Sequence, residues 1–236
     1  MKTTSIWGAA LSWVIALVVP LLLLLSSIRL LMTPVYVDLE YSMPGFPADP
    51  YGMSFAERRQ YAKLELEYLL NDEDISFLRQ QTLADGTPLH NERELGHMED
   101  VKELGKALLN VWLLLLALVV GLTLAAPRLG FWEPLRTGLH RGGQLTVGLI
   151  VVVLIFIALS FNWLFTAFHA VFFEGDTWLF QFSDSLIRMF PVRFFQDVFI
   201  IIGVLTLLGG VGLWLLTREG RGKEETGKKK SRKKSA

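Results

Sequence analysis

The chain has 236 residues, 52% of them hydrophobic, with 16 Phe and 7 Trp, which is more apolar mass than a soluble core of this size uses and marks a membrane protein. Its 23 Lys and Arg balance 23 Asp and Glu to a formal charge of zero, and it has no cysteine. The last point excludes thiol nucleophiles, thiolate metal ligands and disulfides, and it means the chain is not itself a lipid-modified cysteine precursor.

Four apolar runs stand out, at 6–32, 107–126, 145–165 and 198–217. Each reaches the roughly 20 residues that an α-helix needs to cross hydrocarbon. The first, within residues 1–32, contains Pro20, which predicts a kink, and ends near Arg29, which snorkels. It exceeds a signal peptide's apolar core and is followed by no small-residue cleavage site, so it is expected to remain as an anchor.

Residues 33–106 form a small acidic domain. Pro34, Pro44, Pro47 and Pro50 with Gly45 and Gly52 predict an irregular start. Ser54-Phe55-Ala56-Glu57 is a capping box that opens a helix to about Leu70. Asp85-Gly86 marks a turn, and Asn91-Glu92-Arg93-Glu94 opens another helix. So small a unit buries little core alone and is expected to pack on the membrane bundle.

That last helix leads to His97. At about 100° per residue His97, Val101, Leu104 and Leu108 share a face, with Asp100 at its border. A straight helix would raise His97 roughly 15 Å above the apolar run, which Gly96 or Gly105 could relieve by a bend. Residues 107–217 supply three further spans. Between the last two lies an aromatic segment, 168–197, in which rings with polar edges favour headgroup depth. It contains His169, whose face also includes Asn162, Phe165, Thr166 and Phe173.

Charge sets the expected topology. The tail 218–236 has nine Lys or Arg against three Glu, and 127–143 has Arg128, Arg136 and Arg141 against Glu133. Both belong to the cytoplasm with Lys2 by the positive-inside rule. Both termini then face inward, while 33–106 and the His169 segment face outward. Beside a membrane helix, a basic tail reads as lipid attraction and topology control, and nucleic acid is not an expected partner.

Either histidine alone suits a hydrogen-bonded structural role. Two that face inward on one membrane side suggest a site. His90 and His140 lack this setting. There is no HExxH, GxSxG or SxxK motif, so neither a metal nor a serine nucleophile is expected. Imidazole acting as a base remains.

The phrase His97-Met98-Glu99-Asp100-Val101-Lys102, together with Phe168-His169-x-x-Phe172-Phe173, Asp176-Thr177-Trp178-Leu179-Phe180, Asp184-x-Leu186-Ile187 and Phe190-Pro191-x-x-Phe194-Phe195, resembles the bacterial lipoprotein intramolecular transacylase (Lit) family. The resemblance implies an all-α membrane protein of the plasma membrane with four transmembrane helices and a small, mainly helical extracytoplasmic domain between the first two. It implies an acyltransferase without cofactor. Its substrate would be a diacylated lipoprotein in the outer leaflet, whose sn-2 ester-linked chain moves to the α-amine of the N-terminal cysteine to leave a lyso form.

In that chemistry His169 is cast as general base, and His97 as the group that stabilises the oxyanion or protonates the leaving glycerol oxygen. These roles are interchangeable at the level of sequence. Asp100 is a candidate to orient His97. Asn162, Phe172, Phe173, Trp178, Asp184, Arg188 and Arg193 complete the candidate substrate-binding set. Asp184 and Arg188 also read as an i, i+4 ion pair, and Arg193 as a snorkelling residue. The rival reading is a non-enzymatic membrane assembly or interaction factor. A transporter fits poorly, because the apolar runs have almost no ionisable residues in their middles.

Overall fold

The computed structural model describes residues 5–218; Lys2 and the basic tail from residue 219 lie outside the described residues. Eight helices follow in chain order: α1 (Ile6–Leu31), α2 (Pro34–Tyr41), α3 (Phe55–Leu70), α4 (Ser76–Arg79), α5 (Glu92–Leu129), α6 (Trp132–Phe172), α7 (Ser185–Met189) and α8 (Val192–Leu216). No strand occurs among the described residues, only an isolated bridge between Thr82 and Pro88. Helices α1, α5, α6 and α8 are each long and apolar enough to cross a membrane.

Local signals set the helix ends. Thr33 caps α2 with Pro34 in its first turn, where proline's missing N–H costs nothing. The expected capping box of Ser54 and Glu57 opens α3, and that of Asn91 and Glu94 opens α5. Gly130 adopts a left-handed φ of 75°, the conformation that closes a helix at least cost to glycine. Helix α6 follows almost at once, so α5 and α6 form a helical hairpin.

Helices α1, α6 and α8 make the tight centre of the bundle, and α5 packs beside α1 and α6. Small residues allow that closeness, since apolar lipid gives helices little hydrophobic reason to associate and close van der Waals contact must supply it. A Cβ on Gly143 would lie 2.7 Å from both Gly210 O and Trp214 N of α8. Backbone cannot move aside as a side-chain tip can. Gly143→Leu is therefore expected to cost more than the roughly 1–3 kcal/mol of ordinary overpacking, read as loss of the monodisperse peak in detergent gel filtration. Gly148→Leu, at a position with open space around it, should keep the peak.

The segment between α1 and α5 has no core of its own. Tyr36, Val37, Tyr41, Phe46 and Ala62 share one cluster with Phe194 of α8. Tyr68 and Leu78 share another with Leu95 and Met98 of α5 and with Leu186 and Met189 of α7. Polar ties reinforce both. Tyr41 donates to Met189 O at 2.6 Å. The buried Arg58 donates to Arg188 O and Pro47 O at 2.6 and 2.7 Å, with its guanidinium near the rings of Tyr41, Phe46 and Phe55.

Two expectations change. Helix α5 runs unbroken through Gly96 and Gly105, so neither glycine bends it. The segment 168–197 is not a single connection between the last two spans: its first residues continue α6 to Phe172, and its last begin α8 at Val192. An aromatic run without proline gives α6 no reason to stop before Glu174-Gly175, where glycine turns with a φ of 68°.

Candidate active site

The capping box fixes the first turn of α5, and His97 follows one turn later on the face that also buries Glu94, Leu95 and Met98. Helix α6 departs from helical geometry at Ser160 (φ −158°, ψ 65°) and then runs on past its apolar stretch. That extension raises His169 to the level of His97, which resolves the height mismatch of a straight α5. The two rings lie 6.0 Å apart between centroids, inclined by 25°. Both side chains are buried, at 7% and 8% exposure.

Beyond α6 the chain folds back over them. Leu179 N donates to Asp176 O at 3.0 Å, closing a turn with Thr177 and Trp178 at its centre. Trp178 lies against His169 with centroids 4.9 Å apart, and Phe180 meets His97 at 5.3 Å. Phe173 touches both imidazoles, at 4.9 and 5.5 Å. Phe165 sits 4.2 Å from His169.

The two imidazoles differ in hydrogen bonding. His169 Nδ1 lies 2.8 Å from Phe165 O. A carbonyl only accepts, so Nδ1 holds the hydrogen and Nε2 keeps a free lone pair. His97 Nδ1 is buried without a partner among the described residues. His97 precedes the apolar stretch of α5, and burial, then the nearby His169, hold its imidazole down at about 4. It is neutral at physiological pH. A histidine NMR titration of the detergent-solubilised protein should therefore show the His97 ring unprotonated through the neutral range and titrating only as pH falls to about 4. An ordinary midpoint near 6.5 would mean a water-filled site.

The other candidates divide. Phe173 and Trp178 line the histidines, while Phe172 is exposed and packs against Phe168 at 4.9 Å with the rings tilted by 46°. Asn162 and Asp100 are exposed, and Asp100 makes no hydrogen bond to His97. The three polar residues of the later segment are engaged by the protein. Asp184 accepts from Gln181 N and Asn91 Nδ2 at 2.8 and 3.2 Å. Arg188 pairs with Asp49 at 3.0 Å instead of with Asp184. Arg193 pairs with Asp197 at 3.1 Å and donates to Gly45 O and Pro44 O.

A buried polar chain beside the site was not visible in the sequence. Glu94 Oε1 accepts from Ser185 Oγ at 2.7 Å and Leu186 N at 2.8 Å, and its Oε2 accepts from Asn91 N at 2.8 Å. Since the Ser185 hydrogen goes to Glu94, its oxygen accepts from His90 Nδ1 at 2.9 Å. His90 Nε2 then meets Glu65 Oε1 at 2.7 Å with one proton between them, and burial raises the Glu65 carboxyl. Three segments distant in sequence are tied by this chain. His90, set aside for lacking an apolar setting, gave only one signal: it directly precedes the Asn91 cap.

The model of the family described as lipoprotein intramolecular transacylase Lit matches residues 13–195, which include both histidines and their aromatic surroundings. The chain belongs to this family. Among solved structures, it is similar to the membrane integral lipoprotein intramolecular transacylase Lit from Bacillus cereus, with a TM-score of 0.73 at 19% identity over 89% of this chain and 94% of that one. A form of that protein with a histidine replaced by arginine gives a TM-score of 0.65 at 22% identity, covering 90% and 92% of the two chains. An uncharacterized protein of Aquifex aeolicus (strain VF5) is 29% identical over 202 residues, 85% of this chain and 90% of its own. With four apolar helices in the fold of a membrane-integral Lit, this family member is a multi-pass membrane protein.

Proposed function

We propose that this Lit-family chain is an intramolecular transacylase that moves the sn-2 acyl chain of a diacylglyceryl-modified lipoprotein to the α-amine of its N-terminal cysteine. The observation behind this reading is the pair of buried imidazoles, 6.0 Å apart and walled by aromatic rings. In the working topology, Arg128, Arg136 and Arg141 keep the α5–α6 connection in the cytoplasm. The start of α5 and the end of α6, with both histidines and residues 33–106, then face the outer leaflet where the substrate lies.

His169 is the general base through Nε2. An α-amine has a reference pKa of about 7.7–8.0 and is largely protonated at neutral pH; Nε2 takes this first proton and releases it to water, which leaves the amine neutral and His169 free to act again. The nitrogen lone pair then forms the new C–N bond as the carbonyl pair moves onto oxygen. Nε2 then takes a second proton from the attacking nitrogen, collapse of the intermediate breaks the ester C–O bond, and this second proton passes to the departing glycerol oxygen. His97, neutral at physiological pH, acts by donating a hydrogen bond from its ring and not as an imidazolium acid. No step calls for a metal or soluble cofactor. Phe172, Phe173 and Trp178 border the acyl path, and Arg188, Arg193 and Asp184 hold the loops that frame it.

The test is conversion of a purified diacylated lipoprotein by the purified protein in lipid nanodiscs, with product acyl positions read by tandem mass spectrometry. An amide-linked chain and a freed glycerol hydroxyl are expected. Folded protein that leaves acyl positions unchanged on several such lipoproteins would replace this reading with an assembly factor.

A further inference from the structure

The turn that closes over the histidines contains a polar atom with no protein partner. Trp178 Nε1 is buried, unbonded among the described residues, and belongs to a ring whose centroid is 4.9 Å from that of His169. An indole N–H is a donor only. Leaving such a donor buried and unsatisfied destabilises the fold, a cost it had an easy way to avoid: phenylalanine occupies the comparable positions at Phe165, Phe173 and Phe180 around the same two rings. Thr177 Oγ1 in the same turn is equally unpartnered, and so is His97 Nδ1. The site thus gathers buried hydrogen-bonding atoms that wait for a partner from outside the chain.

We infer that Trp178 donates its indole N–H to the acyl carbonyl oxygen of the substrate ester, and holds that oxygen more strongly when it becomes the oxyanion of the tetrahedral intermediate. This rests on the transacylase reading and adds a residue to it. The indole proton is far too weakly acidic to be transferred, so Trp178 exchanges no proton and forms no bond. The amine attacks, the C–N bond forms, the carbonyl π pair goes to oxygen, and the N–H stabilises the charge that collects there. Such a donor is held in place before the reaction by the Asp176–Leu179 hydrogen bond and by packing against the His169 ring, so little reorganisation is needed. A wall residue, by contrast, would require only the ring.

Trp178→Phe separates the two, because it keeps an aromatic wall and removes the N–H. In the nanodisc assay kcat should fall by about 10²-fold, the usual loss for one oxyanion donor, with KM changed by no more than about twofold, as expected for an interaction made mainly in the transition state. In parallel, 15N-labelled wild-type protein in dodecylmaltoside micelles is titrated with a long-chain alkylphosphonate monoester, whose tetrahedral anionic oxygens stand in for the oxyanion. The indole N–H resonance missing from the Trp178→Phe spectrum should move downfield. The shift is read in wild-type protein, and should Trp178→Phe fold poorly the same resonance is identified from Trp178→Tyr. Full kcat in Trp178→Phe, a rise confined to KM, or an indole resonance that ignores the phosphonate overturns the donor role. In those cases loss of activity in His169→Asn would leave the transacylase reading intact. Absence of acyl transfer by wild-type protein would remove both.

Discussion

Replacing His169 with asparagine is expected to lower lyso-lipoprotein formation by about 10²-fold or more without lowering the thermal midpoint. The asparagine amide can still donate towards Phe165 O, the bond that His169 Nδ1 makes at 2.8 Å, and it fills a similar space among Phe165, Phe173 and Trp178. What it lacks is a lone pair basic enough to take a proton from an amine. Raising the pH should partly rescue the variant, because above a reference pKa of about 7.7–8.0 the amine deprotonates without help. Initial rates between neutral and alkaline pH, with a melting curve for each protein, check both parts. An active His169→Asn, or one whose deficit does not shrink with pH, would remove the base assignment.

The parts of this fold that sequence revealed are those governed by neighbours in the chain. The spans follow from apolar length, and the starts of α3 and α5 from Ser54 with Glu57 and Asn91 with Glu94. His97 could be placed on an inward face because its helix has an unambiguous start. Elements governed by distant partners were hidden. Spacing suggested that Arg188 would pair with Asp184, yet it pairs with Asp49, because the proline-rich segment 44–50 is folded against α7. Glycine costs only about 1 kcal/mol in a helix, and α5 accepts that at Gly96 and Gly105 to keep Glu94, His97 and Met98 on one buried face. His90 looked unremarkable beside a turn. Its two partners, Glu65 and Ser185, come from α3 and α7, and no periodicity joins those helices to it.

Glu94 is where the fold reaches the site, and Glu94→Ala is expected to damage both. The side chain is 1% exposed. Its loss leaves the N–H groups of Asn91 and Leu186 and the hydroxyl of Ser185 without their acceptor. Unsatisfied buried groups cost about 1–3 kcal/mol each, and relaxation will recover part of that, so a net loss of roughly 3–5 kcal/mol and a fall of roughly 10 °C in the thermal midpoint are expected. Activity should fall further than stability explains. Glu94 lies one helical turn before His97 on the same buried face of α5, and it fastens that face to the start of α7. The chain between the end of α6 and α7 places Trp178 and Phe180 against the imidazoles. Released at Ser185 and Leu186, it no longer holds those rings in register. Glu94→Gln should be milder, since its amide oxygen can still accept from Ser185 and Leu186 while its NH₂ opposes the Asn91 N–H. Turnover measured well below each variant's midpoint separates the effects: His169→Asn should be inactive at wild-type stability, and Glu94→Ala slow although folded. Wild-type turnover in folded Glu94→Ala would show that the rings keep their places without this anchor.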